Sequence, residues 1–331
     1  MELKRTPRQI LVIRTDRLGE TLLNLPLLTT LKEAFPDATI TWMVNAELKD
    51  LLRDAPGVDW IIGYREDPNV TWWVRAIRLA RSLRAQAFDL AVVSNPKKEF
   101  HVATWFAGIP HRLGYDRKWG WLLTHRIADR KALGDHHEVE YNLELLKRLG
   151  ILIPPLVSFR LPVGPEDERD ITKLLEGLSV KNTGRVVAVH PWSSNPRKQW
   201  LPKQFQSLIQ RLGQVPEVTA VLIGGTHEQG QSQHVIGDRH DAGVLDLVGR
   251  LSLRQLAALL RKARVLVSND SGPMHLATAV GTPVVALFGT EEPGSHPRRW
   301  GPWGSGHTVI HKPLRDITVD EVFQAIQRYL S

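Results

Sequence analysis

The chain has 331 residues and no cysteine, which excludes disulfide frameworks, thiol nucleophiles and cysteine-based zinc sites. With 42% hydrophobic and 24% charged residues it has the composition of a folded protein, long enough for two separate cores. Its formal charge of +8 points to an anionic partner, whether nucleic acid, a phospholipid surface or a phosphorylated substrate, and by itself does not choose among them.

The polar stretch 1–9 is followed by only four apolar residues, 10–13, too few for a signal peptide or a membrane span. A soluble, unexported, cytoplasmic protein is expected. From there short apolar runs alternate with amphipathic stretches. Strands are predicted at 10–13, 39–44, 60–62 and 90–93, with helices over 20–34, around Leu48 and over 72–86. Prolines 154, 155, 162 and 165 mark a linker, because proline continues neither a helix nor a central strand. This predicts a first domain over 1–165 and a second over 166–331. The second repeats the rhythm, with strands at 186–189, 219–223, 265–267 and 284–288 and helices over 203–212 and 253–262. Such alternation predicts an α/β fold with a parallel sheet in each half.

Parallel sheets place ligands beyond the carboxyl ends of their strands, and several loops at such positions carry reactive side chains. After 10–13 come Arg14, Thr15, Asp16, Arg17, Gly19 and Glu20. Local evidence alone leaves Glu20 open between a helix-dipole role and catalysis. After 186–189, Ser193 and Ser194 with Arg197 and Lys198 form a set suited to a diphosphate. After 219–223, Glu228 suits ribose hydroxyls, and after 284–288, Gly289 and Thr290 would turn backbone amides toward phosphate. In Asn269-Asp-Ser-Gly-Pro-Met-His275, Gly272 relaxes the backbone and Pro273 suits a first helical position, leaving Asp270 and Ser271 at a strand end. The helix start favours an anion near Ser271 and His275; the bland reading is an ordinary turn with His275 packed inside. Together these loops favour a nucleotide site. The patterns Gly-x-x-x-x-Gly-Lys-Ser/Thr and Gly-x-Gly-x-x-Gly are absent, which argues against a P-loop enzyme or a dinucleotide oxidoreductase. Lys97 and Lys98 follow strand 90–93 and suit carboxylates or phosphates, a surface that Arg112 and Lys118 extend. Trp72 and Trp73 followed by Arg75, Arg78, Arg81 and Arg84 suit either an anionic membrane surface or a solvated helix face.

These residues resemble glycosyltransferase family 9, the ADP-heptose:lipopolysaccharide heptosyltransferases. The resemblance runs through Ile10 to Pro26, Gly108-Ile-Pro-His-Arg-Leu-Gly-Tyr, His137-Glu-Val-Glu-Tyr-Asn-Leu, Lys198-Gln-Trp and Ser268 to Ala279. It implies a GT-B fold, two Rossmann-like domains facing across a cleft, with the acceptor on the first, the nucleotide sugar on the second and the final helix, 319–330, returning to the first. It further implies Glu20, in place of the usual aspartate, as catalytic base with Asp16 as the fallback. Lys198 would face the donor phosphates beside Ser193, Ser194 and Thr290. Asp270 would hold the transferred sugar near Ser271, Gly272 and His275, and Arg17 would join Lys97, Lys98 and Arg112 on the acceptor. The donor would be ADP-heptose and the acceptor an anionic Kdo-lipid A type molecule at the inner membrane's cytoplasmic face. No Asp-x-Asp and no His-Glu-x-x-His occurs, so transfer without metal or other cofactor is expected. The alternatives are a GT-B transferase with another donor or acceptor, a noncatalytic nucleotide-sugar binder, and a nucleic-acid-binding protein, for which neither an RNP motif, a helix-turn-helix signature nor a basic tail is present.

Overall fold

The computed structural model describes residues 5–178, 185–237, 244–289 and 291–330, and the chain divides at Leu161/Pro162 into two compact units. In the first, the chain runs β1 (Gln9–Ile13), α1 (Leu18–Leu22), α2 (Leu25–Ala34), β2 (Thr39–Asn45), β3 (Trp60–Tyr64), α3 (Trp72–Arg84), β4 (Leu90–Val93), α4 (Lys98–Phe106), β5 (His111–Tyr115), β6 (His125–Ile127) and α5 (Glu138–Lys147). Its strands form one parallel sheet in the order β3-β2-β1-β4-β5-β6. The central strands are unbroken apolar runs, Ile-Leu-Val-Ile and Leu-Ala-Val-Val, because helices cover both faces of a doubly wound sheet and every side chain there is buried. The winding reverses between β1 and β4, and Ile13 lies beside Val93, so the loops leaving these two strands emerge side by side.

The second unit runs α6 (Pro165–Gly177), β7 (Val186–His190), α7 (Pro202–Leu212), β8 (Thr219–Leu222), α8 (Gln233–Ile236), β9 (Val244–Asp246), α9 (Leu253–Lys262), β10 (Val265–Asn269), α10 (Gly272–Val280), β11 (Val284–Phe288), α11 (Pro297–Trp300), β12 (Thr308–His311) and α12 (Val319–Leu330). Its order, β12-β11-β10-β7-β8-β9, is the same winding once more, now reversing between β7 and β10. Ser268 lies beside His190, which brings the two phosphate-type loops together. The last helix, α12, buries Val322, Phe323, Ala325 and Ile326 in this unit's own core, against α7, β10 and β11.

The stretch 20–34 is two helices, not the single predicted one. Pro26 has no amide hydrogen, and its ring would crowd the carbonyl four residues back, so the chain breaks at Leu23–Asn24 and restarts with Pro26 in the first turn of α2. The Asn24 side-chain amide donates to the Glu20 carbonyl (2.9 Å) and caps the interrupted turn. The stretch around Leu48 is a single 3-10 turn, Ala46–Leu48. Among the described residues no helix is long and apolar enough to cross a membrane.

Candidate active site

The first unit's site begins where β1 ends. Arg14 is buried, and its guanidinium reaches three ways: Nε lies 2.9 Å from Asp16 Oδ2, Nη1 donates to the Ser94 carbonyl (3.0 Å), and Nη2 meets Glu138 Oε1 at 3.5 Å. Asn95 Nδ2 donates to Asp16 Oδ1 at 2.5 Å, so Asp16 is held from both sides. Glu138, only 1% exposed at the start of α5, also takes Lys131 Nζ at 2.5 Å; Lys131 donates to Asn142 Oδ1 (3.1 Å), and Asn142 donates to the Leu23 carbonyl (3.1 Å). This explains the His137-Glu-Val-Glu-Tyr-Asn motif in structural terms. His137 Nδ1 accepts from the Val139 amide, Glu140 accepts from the His137 amide, and Glu138 and Asn142 face the β1 loop and the α1/α2 break. Glu20 sits in the first turn of α1, half-buried. Burial pushes its carboxyl above the ordinary range, as does Asp16, against Arg14 and Arg17, which draw it down. A carboxyl group raised in this way is a better proton acceptor than a solvated one, while Asp16 is held by Arg14 and Asn95.

The second unit's site lies between β7 and β10. Lys198 Nζ pairs with Asp270 Oδ2 at 2.5 Å, and Ser193 Oγ donates to the Asp270 carbonyl (3.0 Å). Gln199 Nε2 donates to the Ser193 carbonyl (2.7 Å), and Asn269 locks the two strand ends by accepting from the Trp200 amide (3.0 Å) and donating to the Pro191 carbonyl (2.6 Å). Burial pushes the Asp270 carboxyl up, and Lys198 opposes it. A hydrogen-bonded chain lies behind them. Ser268 Oγ donates to the Asn269 carbonyl (2.8 Å), so it accepts from Ser271 Oγ (2.8 Å), and Ser271 in turn accepts from His190 Nδ1 (3.1 Å). Burial holds His190 neutral, with its pKa lowered to about 4. Ser271 stands at the N-cap of α10 in extended conformation without capping the helix through its side chain, which leaves that helix's first amides to serve an incoming anion. His275 is 3% exposed in the same helix.

The remaining sequence candidates are placed as follows. Glu228 accepts from the Gly225 amide (2.8 Å) in the turn after β8, and Gly224 has room for no side chain there because an added Cβ would sit 2.8 Å from the Trp192 ring. Ser194 and Arg17 are exposed, and Gly272 opens α10. Thr290 lies outside the described residues. Lys97 pairs with Glu66 (2.8 Å), and Lys98 stacks on Trp72, its Nζ 4.1 Å from a ring centroid. Arg112 is turned inward, donating to the Leu122 carbonyl (2.9 Å) and to that of Ile109, a bracing role for the β5 strand. Arg75 is likewise drawn from the α3 stripe by Glu99 (2.9 Å) and Glu66 (3.0 Å). Among the described residues one group, Glu291, His296 and His311, brings metal-ligand atoms within 4.8 Å of one another, but His296 Nδ1 already accepts from the Arg298 amide (3.0 Å). Sequence reasoning did not single out Asn95, Glu138, Lys131, Asn269 or His190; strand register brings together the strand ends that carry Asn95, Asn269 and His190, while Glu138 and Lys131 arrive from α5 and the turn before it.

A pair of parallel six-stranded sheets wound alike, one ending in the Arg14–Asp16–Glu138 cluster and the other in a lysine–aspartate pair at a helix start, is the two-domain α/β architecture of the GT-B fold. The match to the family model for glycosyltransferase family 9 (heptosyltransferase) covers residues 76–321, and the chain belongs to that family and is a glycosyltransferase. It is 27% identical over 351 aligned positions to lipopolysaccharide heptosyltransferase 2 of Salmonella typhimurium, covering 98% of this chain and 99% of that one. Among solved structures it resembles the family 9 glycosyltransferase of Veillonella parvula (TM-score 0.87, 22% identity, 100% of this chain and 98% of that one). It also resembles the E. coli ADP-heptose lipopolysaccharide heptosyltransferase II (TM-score 0.82, 25% identity, 97% and 98%).

Proposed function

We propose that this protein transfers heptose from ADP-heptose to the Kdo/heptose inner core of lipopolysaccharide, with inversion at the anomeric carbon. The observation that carries the reading is the Lys198–Asp270 pair beside the start of α10, a cation and an acid at one strand end of the second unit. Lys198 and the first amides of α10 neutralise the charge that develops on the departing ADP, and Asp270 accepts hydrogen bonds from hydroxyls of the donor sugar. Ser193 and Ser194 line the same loop, and Glu228 takes the ribose. Glu20 removes the proton of the attacking acceptor hydroxyl as its oxygen bonds to the anomeric carbon and the bond to ADP breaks. This leaves a glycoside and a protonated Glu20. Arg17 and Lys98 serve the anionic acceptor. The likeness to a lipopolysaccharide heptosyltransferase 2 and to an ADP-heptose lipopolysaccharide heptosyltransferase II supports this choice of donor and acceptor. The exposed Trp73, Arg78 and Arg81 of α3 suit peripheral contact with the inner membrane's cytoplasmic face.

The test is ADP release from ADP-heptose with and without a Kdo-lipid A acceptor, in chelator, comparing wild type with Glu20→Ala. Acceptor-dependent release that falls by about a hundredfold or more in the variant supports the reading. Absence of release where an authentic heptosyltransferase works overturns the donor and acceptor assignment. Because burial raises the Glu20 carboxyl and the base must be ionised, the acid limb of kcat is expected above the ordinary glutamate value of 4.5 and is absent from the residual activity of Glu20→Ala.

A further inference from the structure

The first unit carries an aromatic cluster that the proposed reaction leaves unused. Trp72 meets Trp119 edge to face at 5.5 Å between centroids, and Trp119 lies 6.1 Å from Trp121 with their planes only 33° apart. Trp119 is 45% and Trp121 66% exposed, large apolar surfaces that burial would ordinarily claim. Their place in the fold is not arbitrary. A helix that crosses between parallel strands starts at the carboxyl edge of the sheet, so Trp72, which opens α3 after β3, and Lys98, which opens α4 after β4, stand on that edge. Trp119 and Trp121 follow β5 there too. This is the edge that carries Asp16 and Glu20 after β1.

The loop pays a conformational cost to present these rings. Lys118 and Trp119 both adopt left-handed backbone (φ +46° and +73°), a region that bulky residues seldom enter and that clusters at ligand sites. Buried His101 holds the loop by donating from Nδ1 to the Lys118 carbonyl (3.0 Å). Gly120 fits where an added Cβ would lie 2.7 Å from an Asp116 carboxylate oxygen. The cations nearby divide in two. Lys97 and Arg75 are neutralised by Glu66 and Glu99, whereas Lys98 and Lys118 have no carboxylate partner among the described residues, and Lys98 rests on the Trp72 ring.

We infer that Trp119, Trp121 and Trp72, with Lys98, form a subsite for an anionic sugar ring of the acceptor. The C–H face of the sugar lies on the indoles and its carboxylate or phosphate meets the Lys98 ammonium. Aromatic faces supply rigid apolar area to a ring that is polar only around its rim, and an unneutralised cation beside them selects a charged sugar over a neutral one. The inference rests on the acceptor reading above and names the residues that would recognise it.

A Kdo-containing oligosaccharide stripped of its acyl chains is the probe. It is titrated against the protein by tryptophan fluorescence and used as acceptor in the ADP-release assay. The expected result is a saturable fluorescence change in wild type that is lost in Trp119→Ala/Trp121→Ala. The acceptor KM should rise about tenfold in that variant and in Lys98→Ala, with the ADP-heptose KM unchanged. Trp121→Ala alone, at so exposed a position, keeps the fold and should show part of the same rise. Equal acceptor KM values in all four proteins, or a wild type that gives no fluorescence change, overturns the subsite. So does a defect seen only with acylated acceptor in anionic vesicles, which would assign the rings to a membrane surface. Because the titration reads binding without turnover, a wild type that binds the oligosaccharide but releases no ADP sinks the assigned reaction and leaves the subsite standing.

Discussion

Glu20 carries a cost that its function requires. Its carboxyl is raised chiefly by burial, so the folded protein holds that proton more tightly than the unfolded chain does. Stability attributable to Glu20 therefore falls as pH rises from the ordinary value of 4.5 through the raised one, and the ionised, destabilised form is the one that accepts a proton. Glu20→Gln is expected to unfold at higher denaturant concentration than wild type near neutral pH, with the advantage gone at about pH 4, while transfer is lost. Equal urea midpoints at neutral pH would contradict this. At this scale the second unit's site was the more legible. Lys198, Asp270 and Ser271 were visible because strand end, glycine and proline stand next to one another in sequence. Asn95 and Glu138 were not, because their contacts with Asp16 and Arg14 span 79 and 124 positions and depend on strand order. Arg112 was equally illegible in its contacts: it lies within β5 and is held by two carbonyls that no local pattern reveals.

Among elements, α5 sets the geometry of the β1 loop. Its first residue, Glu138, is the shared anion for Lys131 and Arg14, and Arg14 in turn holds Asp16. Removing the charge while keeping the shape leaves two buried cations undercompensated, which costs about 3 kcal/mol where such pairs have been broken. Glu138→Gln should lower unfolding free energy by that order in urea titration and reduce kcat more than the donor KM, since its effect reaches the chemistry only through the position of Asp16 and its neighbours. A variant with wild-type stability and kcat would show that the network is incidental. The α1/α2 break is where periodicity misled. Apolar spacing continues smoothly across 20–34, and only the stereochemistry of Pro26 and the Asn24 cap decides that two helices form. The inner strands were more legible, because a strand buried on both faces is a short apolar run, whereas β5, β6, β9 and β12 were not among the predicted elements and carry no such run.

For the whole molecule, two units share one winding order, and the sequence shows this only as repeated βα rhythm, because pairing order is a long-range property. Both units hold imidazoles away from water, His101 and His125 buried in the first, His190 buried and His307 half-buried in the second, each with its pKa lowered chiefly by burial. The unfolded chain binds these protons at the ordinary value of 6.5 while the folded chain refuses them, so stability is complete above that value and drains away as pH falls. His190 alone, lowered to about 4, accounts for roughly 3 kcal/mol across that window. Thermal scans between neutral pH and about pH 4 should show a falling Tm that His190→Asn flattens in part; a Tm independent of pH in this range would refute it. The ion network around Arg14 also bears on how the protein is made. Arg14 leaves the ribosome early, and its buried partner Glu138 follows 124 residues later. During synthesis Arg14 therefore has Asp16 at hand from the start but lacks its buried partner Glu138 until α5 has been made.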